Sequence, residues 1–271
     1  MLTIEPDYAE GHSNLGNALQ EMGNLTAALE SHQRSIDLEP DFVEAHWNKS
    51  LLLLLMGNFR QGFELYEYRW LRKTKKNSVR SFVFPLWLGI EDLKGKTIIL
   101  HCEQGFGDTI QFCRYVKLVK DLGAKVTLEL DAELFDLLHD LSGADEIIKT
   151  GEELPLYDFH CPIMSLPLAL GTELDSIPSP TKYLAAEEIA KKKWFEKLGQ
   201  KTKLRVGIAW SGSPTHKNDH NRSVELKEFI DYLPANIEYV SLQKDLREND
   251  VKLLKNNPKI IDCSSGWDNF S

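Results

Sequence analysis

HCEQGFGDTIQFCRY, residues 101–115, begins where an apolar run stops, places two glycines and an acid in a turn, and continues with a helical pattern. TIILH before it (Thr97 to His101) reads as a strand and Thr109 to Leu122 after it as a helix, so the stretch is a strand-to-helix corner. In an open parallel sheet such corners lie at the carboxyl ends of strands, where ligands bind and where bare amides and the positive end of a helix face outward. Gly105-Phe106-Gly107-Asp108 lacks the third glycine of a dinucleotide fingerprint, and no Gly-Lys-Ser/Thr comes after it to make a Walker loop. Two uses of Asp108 stand open from the residues alone: a cap at or near the start of the helix, as Asp commonly is, or a carboxylate presented to a ligand.

Downstream, Lys125 to Leu130 (KVTLEL), Glu146 to Lys149 and Tyr157 to Cys161 read as further strands, and Glu133 to Leu141 as a helix. Strands alternating with helices imply a parallel sheet covered on both faces. A Pro-rich segment, LDSIPSPTKYL from Leu174 to Leu184, interrupts the alternation, and Ala185 to Leu198 reads as a charged amphipathic helix. The pattern then restarts with LRVGIAW (Leu204 to Trp210), a helix over Val224 to Tyr232, IEYVSLQ (Ile237 to Gln243), a helix over Leu246 to Leu254, and KIIDC (Lys259 to Cys263). Two α/β units joined by a hinge are expected. The second unit has its own loaded corner, AWSGSPTHKNDHNRS, Ala209 to Ser223. Ser211, Gly212 and Ser213 there permit close backbone approach, and Lys217 and Arg222 offer cations to a diphosphate; the alternative is a plain surface loop. His216 and His220 lie four apart, but a loop does not set them on one face and no third ligand is evident, so no metal is expected.

Upstream, the chain repeats itself at a shift of 34 positions. Glu5-Pro6-Asp7 falls on Glu39-Pro40-Asp41, His12 on His46, Asn14 on Asn48, and Met22-Gly23-Asn24 on Met56-Gly57-Asn58. Each unit reads as a helix, a tight MGN turn and a second helix, with small residues such as Ala18, Ala27 and Ala28 where the helices approach. This register resembles the tetratricopeptide repeat, whose Gly, Ala and closing Pro positions are met by Gly16, Ala18, Gly23, Ala28 and Pro40. The second unit departs from it, with Gln61 and Gly62 for Ala27 and Ala28 and Trp70 for Ile36, as a terminal, capping repeat does. The leading LTIEP matches SIDLEP at the end of the first unit, so further repeats upstream are expected in a longer parent. The repeats serve either as a structural extension of the α/β region or as a surface for a protein partner. The basic stretch WLRKTKKNSVR, Trp70 to Arg80, is expected to be a solvated linker.

Composition narrows the partners. A net charge of −9 and a pI of about 5.4 exclude a broad electrostatic footprint for nucleic acid or anionic membrane. The longest apolar run, Leu51 to Met56, is far short of the roughly 20 residues that span a bilayer. The acidic start, MLTIEPDYAEG, lacks the layout of a secretory signal, so a cytoplasmic protein without a transmembrane segment is expected. Cys102, Cys113, Cys161 and Cys263 have neither zinc nor disulfide spacing and read as buried thiols.

Two α/β units with loaded first corners and a hinge between them resemble the GT-B glycosyltransferases. Glu103 through Tyr115, Val206-Gly207-Ile208-Ala209-Trp210-Ser211-Gly212-Ser213, Asn221-Arg222-Ser223 and Ser241-Leu242-Gln243 are similar to the heptosyltransferase-like family, glycosyltransferase family nine, in the version fused behind tetratricopeptide repeats. The resemblance implies a fold that is α plus α/β: tetratricopeptide hairpins over residues 1–72, a linker over 73–95, a Rossmann-like acceptor domain over 96–175, a hinge and helix over 176–200, and a partial Rossmann-like donor domain over 201–271. It implies that Asp108 is the base that deprotonates an acceptor hydroxyl on a saccharide or protein. Ser211, Gly212, Ser213, Arg222 and Lys217 would hold the diphosphate of a nucleotide-sugar donor, and Gln104, Gly105, Gly107 and Gln243 would form the cleft. Transfer would invert the sugar, without a metal or other cofactor. The chain stops after three expected strands of the second half, before the family's later Asp-Thr and His segment, so a truncated protein of weak or absent turnover is expected, and a non-catalytic interaction module is the alternative.

Overall fold

The computed structural model describes residues 5–72, 81–215 and 218–264. His216, Lys217 and residues 73–80 of the basic stretch lie outside the described residues, as do residues 1–4 and 265–271. The chain divides into two units, Met1–Leu184 and Ala185–Ser271, a boundary inside the expected hinge.

Four helices open the first unit: α1 (Ala9–Glu21), α2 (Leu25–Leu38), α3 (Val43–Leu55) and α4 (Phe59–Tyr66). They form two antiparallel hairpins in the register that the 34-residue repeat demands. Gly23 and Gly57 end α1 and α3 at φ 77° and 82°, a left-handed turn that costs other residues about 1 kcal/mol or more. The caps match bond for bond: Asn24 N–H reaches Leu19 O and Asn58 N–H reaches Leu53 O, both at 2.9 Å. The repeated histidines do the same work, since His12 Nε2 and His46 Nε2 each sit 2.7 Å from the carbonyl of the preceding Pro6 or Pro40. Ala28 is fully buried in the first hairpin, and the equivalent Gly62 faces Leu54, whose Cδ2 would lie 2.7 Å from a Cβ there. The close approach of Leu54 leaves no room for a side chain at residue 62.

A 3-10 turn, Glu67–Leu71, leads out of α4. β1 (Thr97–His101), α5 (Phe106–Phe112), α6 (Val116–Asp121), β2 (Lys125–Leu130), α7 (Ala132–Leu138), β3 (Glu146–Lys149), β4 (Phe159–Pro162) and α8 (Leu166–Ala169) come next. The strands pair in parallel in the order β3-β2-β1-β4. Ile98, Leu100, Val126, Leu128, Leu130 and Cys161 pack with Val116, Val119, Leu134 and Leu138 in one apolar core. The alternate positions Ile99, Thr127 and Glu129 are also buried, which is why TIILH reads as a continuous apolar run.

Two boundaries differ from expectation. The helix expected over Thr109 to Leu122 starts earlier, at Phe106, and is split by a 3-10 turn at Cys113–Tyr115. There the Arg114 guanidinium donates through Nε to Gln111 O at 2.8 Å and through Nη1 to Pro178 O at 2.9 Å, tying the segment before the unit boundary to the corner. Residues 81–95 are not a linker: Trp87 and Leu93 are buried in the core, and Trp87 N–H donates to His160 O while His160 N–H donates to Pro85 O, at 2.9 and 3.1 Å. Tyr66, Trp47 and Leu54 of the repeats belong to the same apolar core as β1 and β2.

The second unit holds α9 (Glu188–Leu198), β5 (Arg205–Ile208), α10 (Leu226–Asp231), β6 (Glu238–Ser241), α11 (Glu248–Lys255) and β7 (Ile260–Ile261), with a parallel sheet in the order β5-β6-β7. Its core gathers Ile208, Trp210, Leu226, Tyr239, Leu254 and Ile260. Burial pushes the Cys102 and Cys113 thiols up to about 12, so neither is a thiolate at neutral pH. Among the described residues, no helix is long and apolar enough to cross a membrane.

Candidate functional site

The first corner turns on Gly105, the N-cap of α5. Asp108 stands three residues into the helix, and its Oδ2 accepts from Gly105 N–H at 3.1 Å, so the carboxylate caps the corner from inside the helix. That bond is the one shown for the Asp108 side chain among the described residues. Neither glycine adopts a positive φ, and a Cβ at Gly107 would meet nothing within 4 Å. The corner therefore owes its shape to hydrogen bonds, not to glycine's freedom. Gln104 Nε2 donates to Tyr66 Oη at 3.1 Å, which turns this residue toward the repeats.

Glu103 is the residue whose surroundings the sequence concealed. Arg69, from the 3-10 turn after the second repeat, forks onto it through Nε and Nη2 at 2.9 and 2.6 Å. Both side chains are almost wholly buried, 3% and 5% exposed. Arg69 also reaches Ser165 Oγ at 2.6 Å and Glu67 Oε1 at 2.5 Å, and lies over the rings of Tyr66 and Trp70. Burial works against its charge, but the bonds to Glu103 and Glu67 outweigh that and hold the guanidinium above its ordinary value.

In the second unit, Trp210, Ser211, Gly212, Arg222, Val224 and Phe229 line a cavity of about 340 Å³. Three of the five donor-binding candidates thus come together: Ser211, Gly212 and Arg222. Ser211 Oγ is shielded from solvent and has no hydrogen-bond partner among the described residues. The Arg222 guanidinium lies so close over Gly212 that a Cβ there would sit 2.9 Å from its Nε, so glycine is what admits it. Ser213 is exposed and shares a 2.9 Å hydrogen bond with Thr215. Lys217 falls outside the described residues. His220 is exposed in a short 3-10 turn, and among the described residues no cluster of three or more His, Cys, Asp or Glu could hold a metal.

The amides of this corner are already spent, contrary to the expectation of bare N–H groups. Gln243 Oε1 accepts from Trp210 N–H at 3.2 Å and Ser211 N–H at 3.1 Å, and its Nε2 donates to Ser211 O at 2.9 Å. Gln243 is a buried clamp on the loop, and a ligand here would meet hydroxyl and guanidinium groups in place of backbone. Gly212 N–H donates to Ser223 Oγ at 3.0 Å, Ser223 in turn donates to Asp219, and Arg247 Nη2 holds Asp219 Oδ2, the last two at 2.5 Å. Trp210 Nε1 donates to Asp250 Oδ2 at 3.0 Å. Ser223 could have been found from its place beside Arg222, whereas Arg247 and Asp250, on and next to α11, carry no local signal. The helices after the two corners, seven and six residues long, are too short to supply the strong positive end first expected of them.

Residues 9–42 match the tetratricopeptide repeat family, a span covering α1, α2 and the loop to α3. No curated protein matches the chain. Among solved structures, a mutant O-GlcNAc transferase from Thermobaculum terrenum is similar at 15% identity and a TM-score of 0.26, over 57% of this chain and 36% of that one. The chain therefore spans about a third of that protein's length, and a likeness of this grade carries no weight for fold or chemistry. The first hairpin matches the tetratricopeptide repeat, and it is followed by parallel α/β structure.

Proposed function

We propose that the chain is a glycosyltransferase-like protein of the heptosyltransferase-like kind, moving a sugar from a nucleotide-diphosphate donor to a saccharide or protein hydroxyl in the cytoplasm. The observation that carries this reading is the cavity of about 340 Å³ that gathers the shielded Ser211 hydroxyl, Gly212 and the Arg222 guanidinium. A diphosphate asks for such a set: a guanidinium to neutralise charge, no side chain at residue 212 to block approach, and an unpaired hydroxyl at residue 211 that a small side-chain rotation would bring to an anion. The apolar walls from Trp210 and Phe229 suit a nucleotide's less polar parts.

Asp108 takes the acceptor proton in this reading. The acceptor oxygen forms a bond to the anomeric carbon as the bond from that carbon to the diphosphate breaks. The proton passes to the Asp108 carboxylate and the electron pair leaves on the diphosphate, whose growing charge Arg222 and Ser211 meet. Attack from the face opposite the leaving group inverts the anomeric carbon. Arg222 does the neutralising in place of a metal ion. Asp108 and Arg222 belong to separate units, so each assignment is tested by itself.

Calorimetric titration of the full chain with nucleoside diphosphates and their sugars tests the donor site. Arg222→Ala is expected to weaken binding roughly tenfold or more, the worth of a hydrogen bond to a charged group. No saturable binding by the folded wild type, or equal binding by the variant, sinks the assignment. Asp108→Asn keeps an oxygen that accepts from Gly105 N–H and so preserves the cap, yet it is expected to cut transfer by roughly 10²–10⁴-fold, the range of general-base catalysis. A rate within a few fold of wild type would show that Asp108 is only a cap.

A second reading draws on the repeats. Leu29, Gln33, Arg34, Asp37, Lys49 and Gln61 line a cavity of about 390 Å³ on the helical hairpins, a place for a protein partner. Partner capture that persists in both variants, with no donor binding, favours a non-catalytic interaction module.

A further inference from the structure

Glu103 and Gln104, the residues that carry β1 toward Gly105, are each held by a side chain of the second repeat region, 34 and 38 positions earlier in the chain. Neither Gly105 nor Gly107 has a positive φ, a Cβ at Gly107 would meet nothing within 4 Å, and α5 has only seven residues, too few to hold its own first turn in water. The holders, by contrast, are anchored. Tyr66 is 8% exposed and packs on Trp47 at 4.9 Å between ring centres. Arg69 is 2% exposed and is locked from its other side by Glu67 and Ser165, which bond to each other at 2.8 Å.

We propose that Tyr66 and Arg69 are positioning residues for Asp108, so that the second repeat sets the shape of the first corner from outside. The inference rests on the reading of Asp108 as the base. The path is continuous: Arg69 fixes Glu103, Tyr66 fixes Gln104, and the next residue, Gly105, gives its N–H to Asp108 Oδ2. The repeats then belong to the reaction centre's construction and are more than an appended surface. Neither residue touches substrate in this scheme.

The test uses the full chain and variants that leave the core intact: Tyr66→Phe, which removes one hydroxyl, Gln104→Met, and the two combined. Amide hydrogen exchange is read at Gly105 and Asp108, with Ile98 to Leu100 in β1 as the internal reference. Each single change is expected to speed exchange at Gly105 by about fivefold or more while β1 moves less than about twofold, as for the loss of one net hydrogen bond. The double variant is expected to equal either single one, because both remove the same link. Unchanged exchange at Gly105, an additive double variant, or a rise shared equally by β1 overturns the proposal. Where transfer is measurable, Tyr66→Phe lowers kcat and leaves the donor KM in place; a raised KM alone also counts against it. The exchange readout needs no reaction, so it separates the two ideas. Unchanged exchange removes the Tyr66–Gln104 link, and with it the two-residue brace proposed, whatever Asp108 does, and full transfer by Asp108→Asn removes the base and with it the positioning role, leaving Tyr66 and Arg69 structural.

Discussion

Arg69→Met lowers the unfolding free energy of the chain by roughly 3–5 kcal/mol, the cost of breaking a buried ion pair from one side. The side chain is 3% exposed and bonds to Glu103 twice, to Glu67, to Ser165 and to the Tyr66 carbonyl. Its loss takes from the Glu103 carboxylate, 5% exposed, the fork that compensates its charge. Methionine keeps most of the stem's contacts with the Tyr66 and Trp70 rings, so the loss reports charge and hydrogen bonds more than packing. Adding Glu103→Gln to Arg69→Met recovers at least half of the deficit, because the charge left behind is what costs most. Urea unfolding followed by circular dichroism measures both. A single variant within about 1 kcal/mol of wild type, the scale of an exposed pair, would mean that water reaches the network.

The second large effect is acid lability from His32. The ring is fully buried in the first hairpin, neither nitrogen has a hydrogen-bond partner, and a Cβ on Gly16 would lie 2.6 Å from it. Burial, with Lys49 adding repulsion, lowers its pKa to about 4. The unfolded chain takes up the proton near 6.5 and the folded one does not, so stability falls as pH drops from about 6.5 and reaches its full deficit near 4. The shift amounts to about 3 kcal/mol, on the order of a third of a typical domain's stability. Urea unfolding at pH 7 and pH 4 is expected to show wild type losing about 3 kcal/mol more than His32→Leu, which cannot be protonated. Equal losses would place the acid sensitivity elsewhere.

Local pattern and long-range contact divide the molecule cleanly. The MGN turns, the histidines that reach back to Pro6 and Pro40, and the strand-to-helix corners after β1 and β5 were legible in the chain, because each depends on residues within a helix turn or two of one another. Ser211, Gly212 and Arg222 were legible as a group for the same reason: they share one loop. Trp87 and Leu93 were not, since a segment free of periodicity looks like a linker until β4 offers it a partner at His160. Gln243 was noticed for its motif, but its hold on the loop was not legible, as its partners Trp210 and Ser211 lie 33 and 32 positions away.

Sequence alone determined the repeat register, the element types and the two loaded corners, for backbone propensity and apolar periodicity are local quantities written residue by residue. Only the tertiary structure decided that the repeats and the first sheet share one core, that Arg69 and Tyr66 hold Glu103 and Gln104, and that Gln243 has consumed the amides of the second corner. A buried charge or amide must find its partner wherever the fold brings one, and that choice is made by the packing of distant segments, not by spacing along the chain.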